Sequence, residues 1–461
     1  TIQHAKWTFD STAFGAEANT GSLAAVSQVV KVSPVNPNEW IAGGTSTGGV
    51  LEVMRSTDGG STWTAWGSNP TVGGASTQRR FDIAFEQQSG QAVVVYSKDA
   101  TTNEIGIRTF TTSWQSEVTI DAGGAADVVI SIELAEKRNS DELALAYGTN
   151  GARVNGGIWN GSTNTMTTSG TAFGLCDFVS GNGDSKCFDI NYETGSGLPV
   201  VSWGIQSAGN TNNTVRASRW DGSAWNTATI DLGAGGDDVT FIDCEADPSI
   251  GSNEIACVSL GASTSDAQTW TLNAGALGVA GADRDTSAAV AINGYEYAAV
   301  TYVTSGGDRR AVAAWSSDDA TDVDYSVFDG SSWGANQAFT KNTGNDKNFV
   351  AATNPYDLSE ALYLFNDANS DLWAVKLTLS GTTLTWTDVS TTALETNLSG
   401  TTLRSFDIAF EANYPRSSLT QEAYIWENED GTTADNGSVL AAANTSITAR
   451  QGERLNLRMH L

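Results

Sequence analysis

The sequence predicts an all-β chain, a β-propeller of seven four-stranded antiparallel blades with a divergent C-terminal β segment, or of eight blades. Three observations lead there. Phe81-Asp82-Ile83-Ala84-Phe85-Glu86 returns as Phe188-Asp189-Ile190-Asn191-Tyr192-Glu193 and as Phe406-Asp407-Ile408-Ala409-Phe410-Glu411. The separations, 193 − 86 = 107 and 411 − 193 = 218, are close to two and four units of about 54 residues. The composition, with 48 Gly, 7 Pro, 15 Trp, 11 Tyr and 15 Phe, suits many short strands joined by tight turns. No stretch carries a convincing 3.6-residue apolar period.

The elements follow in order. Weaker first-strand copies fill the gaps at Val29 to Ser33, Val128 to Glu133, Phe241 to Glu245, Ser287 to Asn293 and Asn348 to Thr353. With the three strong copies they make eight. Each is followed by a turn and a second run: Glu39 to Gly43, Ala92 to Ser97, Leu143 to Gly148, Pro199 to Gly204, Ile255 to Leu260, Tyr297 to Val303, Ala361 to Asn366 and Glu422 to Glu427. Third runs alternate apolar and polar residues, as in Val50 to Arg55, Glu104 to Thr109, Thr214 to Trp220 and Leu372 to Leu379. They close on glycine turns with Trp beyond, as in Trp220-Asp221-Gly222-Ser223-Ala224-Trp225 and Phe328-Asp329-Gly330-Ser331-Ser332-Trp333. A fourth strand starts there. Four antiparallel strands per unit, stacked radially, bury both faces of each sheet and leave only short edges. Lys6 to Phe14 resemble the fourth strand Trp225 to Leu232 and are placed to complete the last blade. The expected division is a propeller over 1–403 and a last blade or appended module over 404–461. A stacked array of sandwiches is the competing architecture.

Charge and composition narrow the function. With 24 Lys+Arg against 53 Asp+Glu the formal charge is −29, which repels nucleic acid and anionic membrane surfaces. No apolar run reaches the roughly 18 residues of a spanning helix. The sequence begins at Thr1, as a processed product would. Its only histidines, His4 and His460, lie near the termini, which argues against His-dependent nucleophiles and metal sites. The four cysteines, Cys176, Cys187, Cys244 and Cys257, contain no CxxC pair. Sequential disulfides, Cys176 with Cys187 and Cys244 with Cys257, are preferred among three connectivities and fit a secreted protein, the alternative being free thiols.

Ser56-Thr57-Asp58-Gly59-Gly60-Ser61-Thr62-Trp63 matches S-x-D-x-G-x-T-W and so resembles the Asp-box of sialidase-like propellers. The resemblance covers one motif in one blade. It implies a folding device between third and fourth strands, in which Ser56 and Asp58 satisfy turn amides, Gly60 takes a positive φ, Thr62 completes the motif and Trp63 packs between blades. A sialidase-like enzyme would also need three convergent arginines, a Tyr–Glu pair and an acid Asp. Arg79, Arg80, Arg138, Arg216, Arg284 and Arg404 stand near strand ends without forming that pattern. No catalytic residue is assigned. Asp82, Asp189 and Asp407 recur at equivalent positions, which suits packing more than catalysis.

The strand-end acids Glu86, Glu133, Glu193, Glu245 and Glu411 would form a ring able to hold Ca²⁺ if they pointed into the central channel. No other cofactor is expected. From Ala423 to Leu461 the chain resembles modules of large secreted and cell-surface proteins of bacteria and archaea, through Tyr424, Trp426, Asp430, Leu440-Ala441-Ala442 and Leu457-Arg458-Met459. Sequons at Asn160, Asn212, Asn397, Asn436 and Asn444 fit a glycosylated exterior. These features indicate an extracellular or cell-surface protein, non-enzymatic, structural or adhesive, as in a filament or surface assembly. Its partners would be further copies, other surface proteins or glycans. The competing reading is a carbohydrate-active enzyme, or a lectin using Trp40, Trp66, Trp203, Trp315 or Trp373; such residues more often belong to the core between blades.

Overall fold

The structure, a computed structural model, describes residues 2–5, 18–23, 25–67, 69–72, 78–98, 104–122, 127–169, 171–176, 186–205, 212–234, 239–261, 267–285, 296–317, 322–341, 346–389, 392–396, 398, 404–410, 423–428 and 455–460. At 4, 19, 212, 213, 231, 233, 234, 282–285, 423–428 and 455–460 it describes the backbone alone. Two compact units are present, Thr1–Ala412 and Asn413–Leu461.

The alternating runs of the first unit pair with their chain neighbours into seven antiparallel sheets, each joined in sequence order. Blade 1 is Ala25–Val32, Trp40–Ser46, Leu51–Ser56 and Thr64–Ala65; blade 2 is Phe81–Phe85, Ala92–Ser97, Glu104–Phe110 and Val118–Asp121. Blade 3 is Val129–Glu136, Glu142–Thr149, Arg153–Asn160 and Thr165–Thr168, with an extra strand Gly174–Leu175 on Arg153–Asn160. Blade 4 is Phe188–Tyr192, Pro199–Gly204, Asn212–Trp220 and Trp225–Ala234; blade 5 is Val239–Ala246, Glu254–Gly261, Ala267–Asn273 and Ala276–Asp285. Blade 6 is Ala298–Ser305, Asp308–Ser316, Asp322–Phe328 and Gln337–Thr340; blade 7 is Lys347–Thr353, Glu360–Asn366, Leu372–Ser380 and Thr383–Asp388.

Period-2 alternation explains the stacking. On the second strand of blade 2, Ala92, Val94 and Tyr96 enter the core shared with blade 1, while Val93 and Val95 enter the core shared with blade 3. Each interface between consecutive blades has its own cluster of buried side chains. Burial of one Val or Phe there contributes on the order of 1.5–3 kcal/mol, so both faces of blades 2 to 6 help hold the stack. The first strands of consecutive blades lie side by side around the axis. Phe406, Ile408 and Phe410 pack on Leu362, Leu364 and Ala374 of blade 7, and Asp407 reaches the Val30 amide of blade 1. Residues 404–410 thereby occupy the place of an eighth first strand without forming a ladder.

Two details differ from the sequence reading. The run at 297–303 is the first strand of blade 6, not the second, and the copy expected at Ser287 to Asn293 falls on 286–295, outside the described residues. The physical reason is the hairpin Ser305–Asp308, where Gly306 and Gly307 both take positive φ (58° and 90°) and turn the chain at once into Asp308–Ser316. The unit boundary falls after Ala412, not after Leu403, because the apolar face of 404–410 is buried on blade 7. The stretch 6–14 lies outside the described residues.

In the second unit Ala423–Asn428 pairs antiparallel with Leu455–His460, placing Tyr424 opposite Met459 and Trp426 opposite Leu457. Asp430 and 440–442 are outside the described residues. Among the described residues no helix is long and apolar enough to cross a membrane.

Candidate functional site

Inner-strand acids clasp neighbouring blades. Asp82 Oδ2 accepts from the Leu134 amide at 2.8 Å, Asp189 Oδ2 from Cys244, Asp243 Oδ2 from Val300 at 2.9 Å and Asp407 Oδ2 from Val30 at 3.0 Å. The recurring Asp is thus a blade-to-blade fastening. These bonds also fix the register. Leu134 follows Glu133 as Cys244 follows Asp243, so Glu133 and Asp243 match Asp82, and the sequence alignment of Glu133 and Glu245 with Glu86 is displaced.

Three residues before this position stand Arg79, Lys186, Glu296 and Arg404, in alternate repeats and 107, 110 and 108 residues apart. They cross-link the axis. Arg79 Nε lies 2.6 Å from Glu296 and Arg79 Nη1 3.7 Å from Glu133; Arg404 lies 3.6 Å from Glu296 and 3.5 Å from Asp407. Lys186 Nζ meets Glu133 at 3.2 Å, Asp189 at 3.1 Å and Asp243 at 2.9 Å. Burial opposes the Lys186 charge, but Asp189, Asp243 and Glu133 outweigh it and hold the ammonium well above its ordinary value. Burial pushes the Glu133 carboxyl up, aided by Asp189 and opposed by Lys186 and Arg79. Arg79 and Arg404 do converge, yet on protein carboxylates, so they form no free anion site.

The five glutamates proposed as a ring are not brought together. Glu133 and Glu245 face the axis. Glu86, 2% exposed, lies in the turn after its strand and accepts from Trp159 Nε1 at 2.8 Å and Ser89 Oγ at 2.6 Å. Glu193 is fully buried in the matching turn and pairs with Arg219 at 2.7 Å. Glu411 is outside the described residues. Among the described residues no group of three acidic, His or Cys side chains is placed to hold a metal ion. Packing decided this: Trp159 and Arg219 draw two of the acids away from the axis.

The Asp-box segment turns between the third and fourth strands of blade 1. Asp58 Oδ1 accepts from the Ser61 and Thr62 amides at 3.0 and 2.8 Å, and Ser56 Oγ accepts from the Gly60 amide at 2.8 Å. The Thr62 amide and hydroxyl, then the Ser56 hydroxyl, hold Asp58 down to about 2. Gly60 has φ 81°. Trp63 is half-buried and donates to the Gly60 carbonyl at 3.1 Å; Trp66, three residues on, is the ring buried between blades 1 and 2. Asp221 and Asp329 cap their Gly-Ser turns in the same way. Asn160 Oδ1 accepts from Ser162 in an exposed turn; Asn212 is described by backbone alone, and Asn397, Asn436 and Asn444 lie outside the described residues. The disulfides are Cys176–Cys187 and Cys244–Cys257, with no free cysteine. Of the lectin tryptophans, Trp203 and Trp315 are fully buried, Trp40 and Trp66 nearly so, and Trp373 is partly exposed.

A pocket of about 350 Å³ opens between blades 2 and 3. Trp159, Ile107 and Val118 give it apolar walls, and Gln91, Asn164 and Thr109 line it with amides and a hydroxyl. Gln91 Nε2 bridges the blades, donating to Asn164 Oδ1 at 2.7 Å and Glu86 Oε1 at 2.9 Å. Asn164 holds its place at φ 53°. None of the nine lining residues is charged. Sequence reasoning missed this site because its parts come from two repeats; the only signal was the polar end of each strand run.

Among solved structures, the chain is similar to the BP39L lectin from Burkholderia pseudomallei, with 10% identity, 81% of this chain and all of that chain covered, and a TM-score of 0.51. It is also matched to the lectin of Aleuria aurantia, described as a six-bladed β-propeller with a novel fucose recognition mode, at 12% identity, 78% and 93% coverage and a TM-score of 0.38. At these identities the likeness to BP39L is one of fold, in agreement with the stacked four-stranded sheets. No family model and no curated protein matches the sequence.

Proposed function

We propose that the chain is an extracellular saccharide-binding β-propeller, a lectin-type surface protein. The observation that carries this reading is the uncharged crevice between blades 2 and 3. An apolar wall beside amide and hydroxyl groups suits the face and the hydroxyls of a neutral sugar. Its lining holds no pair of carboxylates, which favours binding over glycoside hydrolysis. The BP39L neighbour, itself described as a lectin, supports the same choice. Two disulfides support an oxidising, extracellular setting. We read the Asp-box as a sign of kinship with sialidase-like propellers at the level of a turn, without their chemistry. The crevice favours a glycan over self-association as partner, and adhesion would follow from glycan binding. Calorimetric titration with a panel of neutral oligosaccharides tests the reading. At least one member should bind, and Asn164→Gly, which keeps the backbone conformation but removes the amide, should weaken it about five- to tenfold. A panel without a binder, or an unchanged affinity for the variant, would overturn it.

A further inference from the structure

The interface of blades 3 and 4 holds a second arrangement of donors. Trp203 and Arg216 are direct cross-strand partners in blade 4. Trp203 is fully buried, and Phe173 of blade 3 stacks over it at 5.8 Å with an interplanar angle of 30°. The indole Nε1 of Trp203 and the buried Nε of Arg216 have no hydrogen-bond partner among the described residues. Leaving such donors unsatisfied is costly, so the arrangement calls for an acceptor. Other arginines of this acidic chain, Arg55, Arg219 and Arg309 among them, are paired with carboxylates. Arg216 forms no ion pair among the described residues, although acids outnumber bases 53 to 24.

Gly174 packs against both donors. A Cβ at that position would stand a tight 3.2 Å from both Arg216 Nη1 and Trp203 Nε1, so the two nitrogens lie close together against bare Gly174 backbone. Its strand is fixed beside the Cys176–Cys187 bridge. A row of half-buried rings continues outward, from Phe173 to Trp225 at 5.0 Å and from Trp225 to Trp220 at 5.5 Å.

We propose that this is a second recognition point, which takes the carboxylate of an acidic saccharide. A planar guanidinium beside an indole N–H matches a carboxylate, and the ring row offers a face to the sugar. The pocket between blades 2 and 3, lacking any cation, does not offer this chemistry. The inference rests on the saccharide reading for its class of ligand.

Calorimetry of the full chain with tri-galacturonate, a neutral oligosaccharide bound by the crevice, and sodium acetate separates the possibilities. Tri-galacturonate should bind. Arg216→Gln should weaken it about tenfold or more, with Trp203→Phe and Gly174→Ala each weakening it several-fold, while neutral binding stays unchanged. Two of the three variants suffice should one fail to fold by melting curve. Neutral binding without tri-galacturonate binding, or variants that bind it as the parent does, would overturn the proposal and leave the crevice reading standing. Acetate competing at equal molarity would overturn a saccharide ligand. Failure of acidic and neutral sugars alike would remove both readings.

Discussion

The Asp407 carboxylate accepts a hydrogen bond from the Val30 amide at 3.0 Å, across 377 residues of chain. It joins the last inner segment of the first unit to the first blade, and it repeats in kind the bonds from Asp82, Asp189 and Asp243 to the blades that follow them. The ring is therefore fastened at its seam by the same device that fastens its middle.

Asp407→Ala should lower the unfolding free energy by about 1.5–3 kcal/mol, the range for a hydrogen bond to a charged group, because it leaves the Val30 amide without this acceptor and removes one of the two carboxylates, Asp407 and Glu296, that Arg404 meets among the described residues. Asp407→Asn keeps an acceptor oxygen and should cost less. Urea denaturation of the two variants ranks them; equal losses would show that the ion pair, not the amide bond, matters.

Asp58 titrates at about 2 in the folded chain, below its ordinary 3.8. Its stabilisation is present above the unfolded value and disappears as pH falls from 3.8 through 2. Asp58→Ala should thus melt at a lower temperature than the parent at pH 7, and the gap should close towards pH 2. Thermal scans across that range read the outcome.

Glu245 behaves in the opposite sense. Hemmed in by protein, though reached by solvent, and placed near the carboxylates of Asp243 and Asp189, it is pushed up to about 8. The folded state holds its proton more tightly than the unfolded chain, so stability is full below the unfolded value and is lost as pH rises through 8. Glu245→Gln should raise the melting temperature at pH 9 and leave it unchanged near pH 4.

The two disulfides close loops of 11 and 13 residues. Chain-entropy reasoning gives about 3 kcal/mol for each, so the Cys244→Ala/Cys257→Ala variant should lose roughly that amount. Cys244 and Cys257 face each other directly across two strands, which makes the double substitution a clean comparison. Equilibrium unfolding with and without reductant measures both effects.

Much was legible from one dimension. Alternation along Ala92–Ser97, the Gly-rich turns after Trp220 and Phe328, and cysteines close in sequence all act through neighbours a few residues apart, so the sequence alone determined the antiparallel sheets and the turn chemistry, and it favoured the cysteine pairing that the structure then decided. Only the tertiary structure decided the rest. Both faces of a blade are buried, so alternation cannot say which face of Phe81–Phe85 meets which neighbour, and Glu133 was aligned with Glu86 when it stands in the place of Asp82. Arg79 and Glu296 are 217 residues apart, as are no pair in any local pattern, yet lie in contact across the axis. The crevice with Gln91 and Asn164, and the donors Trp203 and Arg216 beneath Gly174, form where separate blades meet; their chemistry depends on distances that stacking sets and sequence spacing does not.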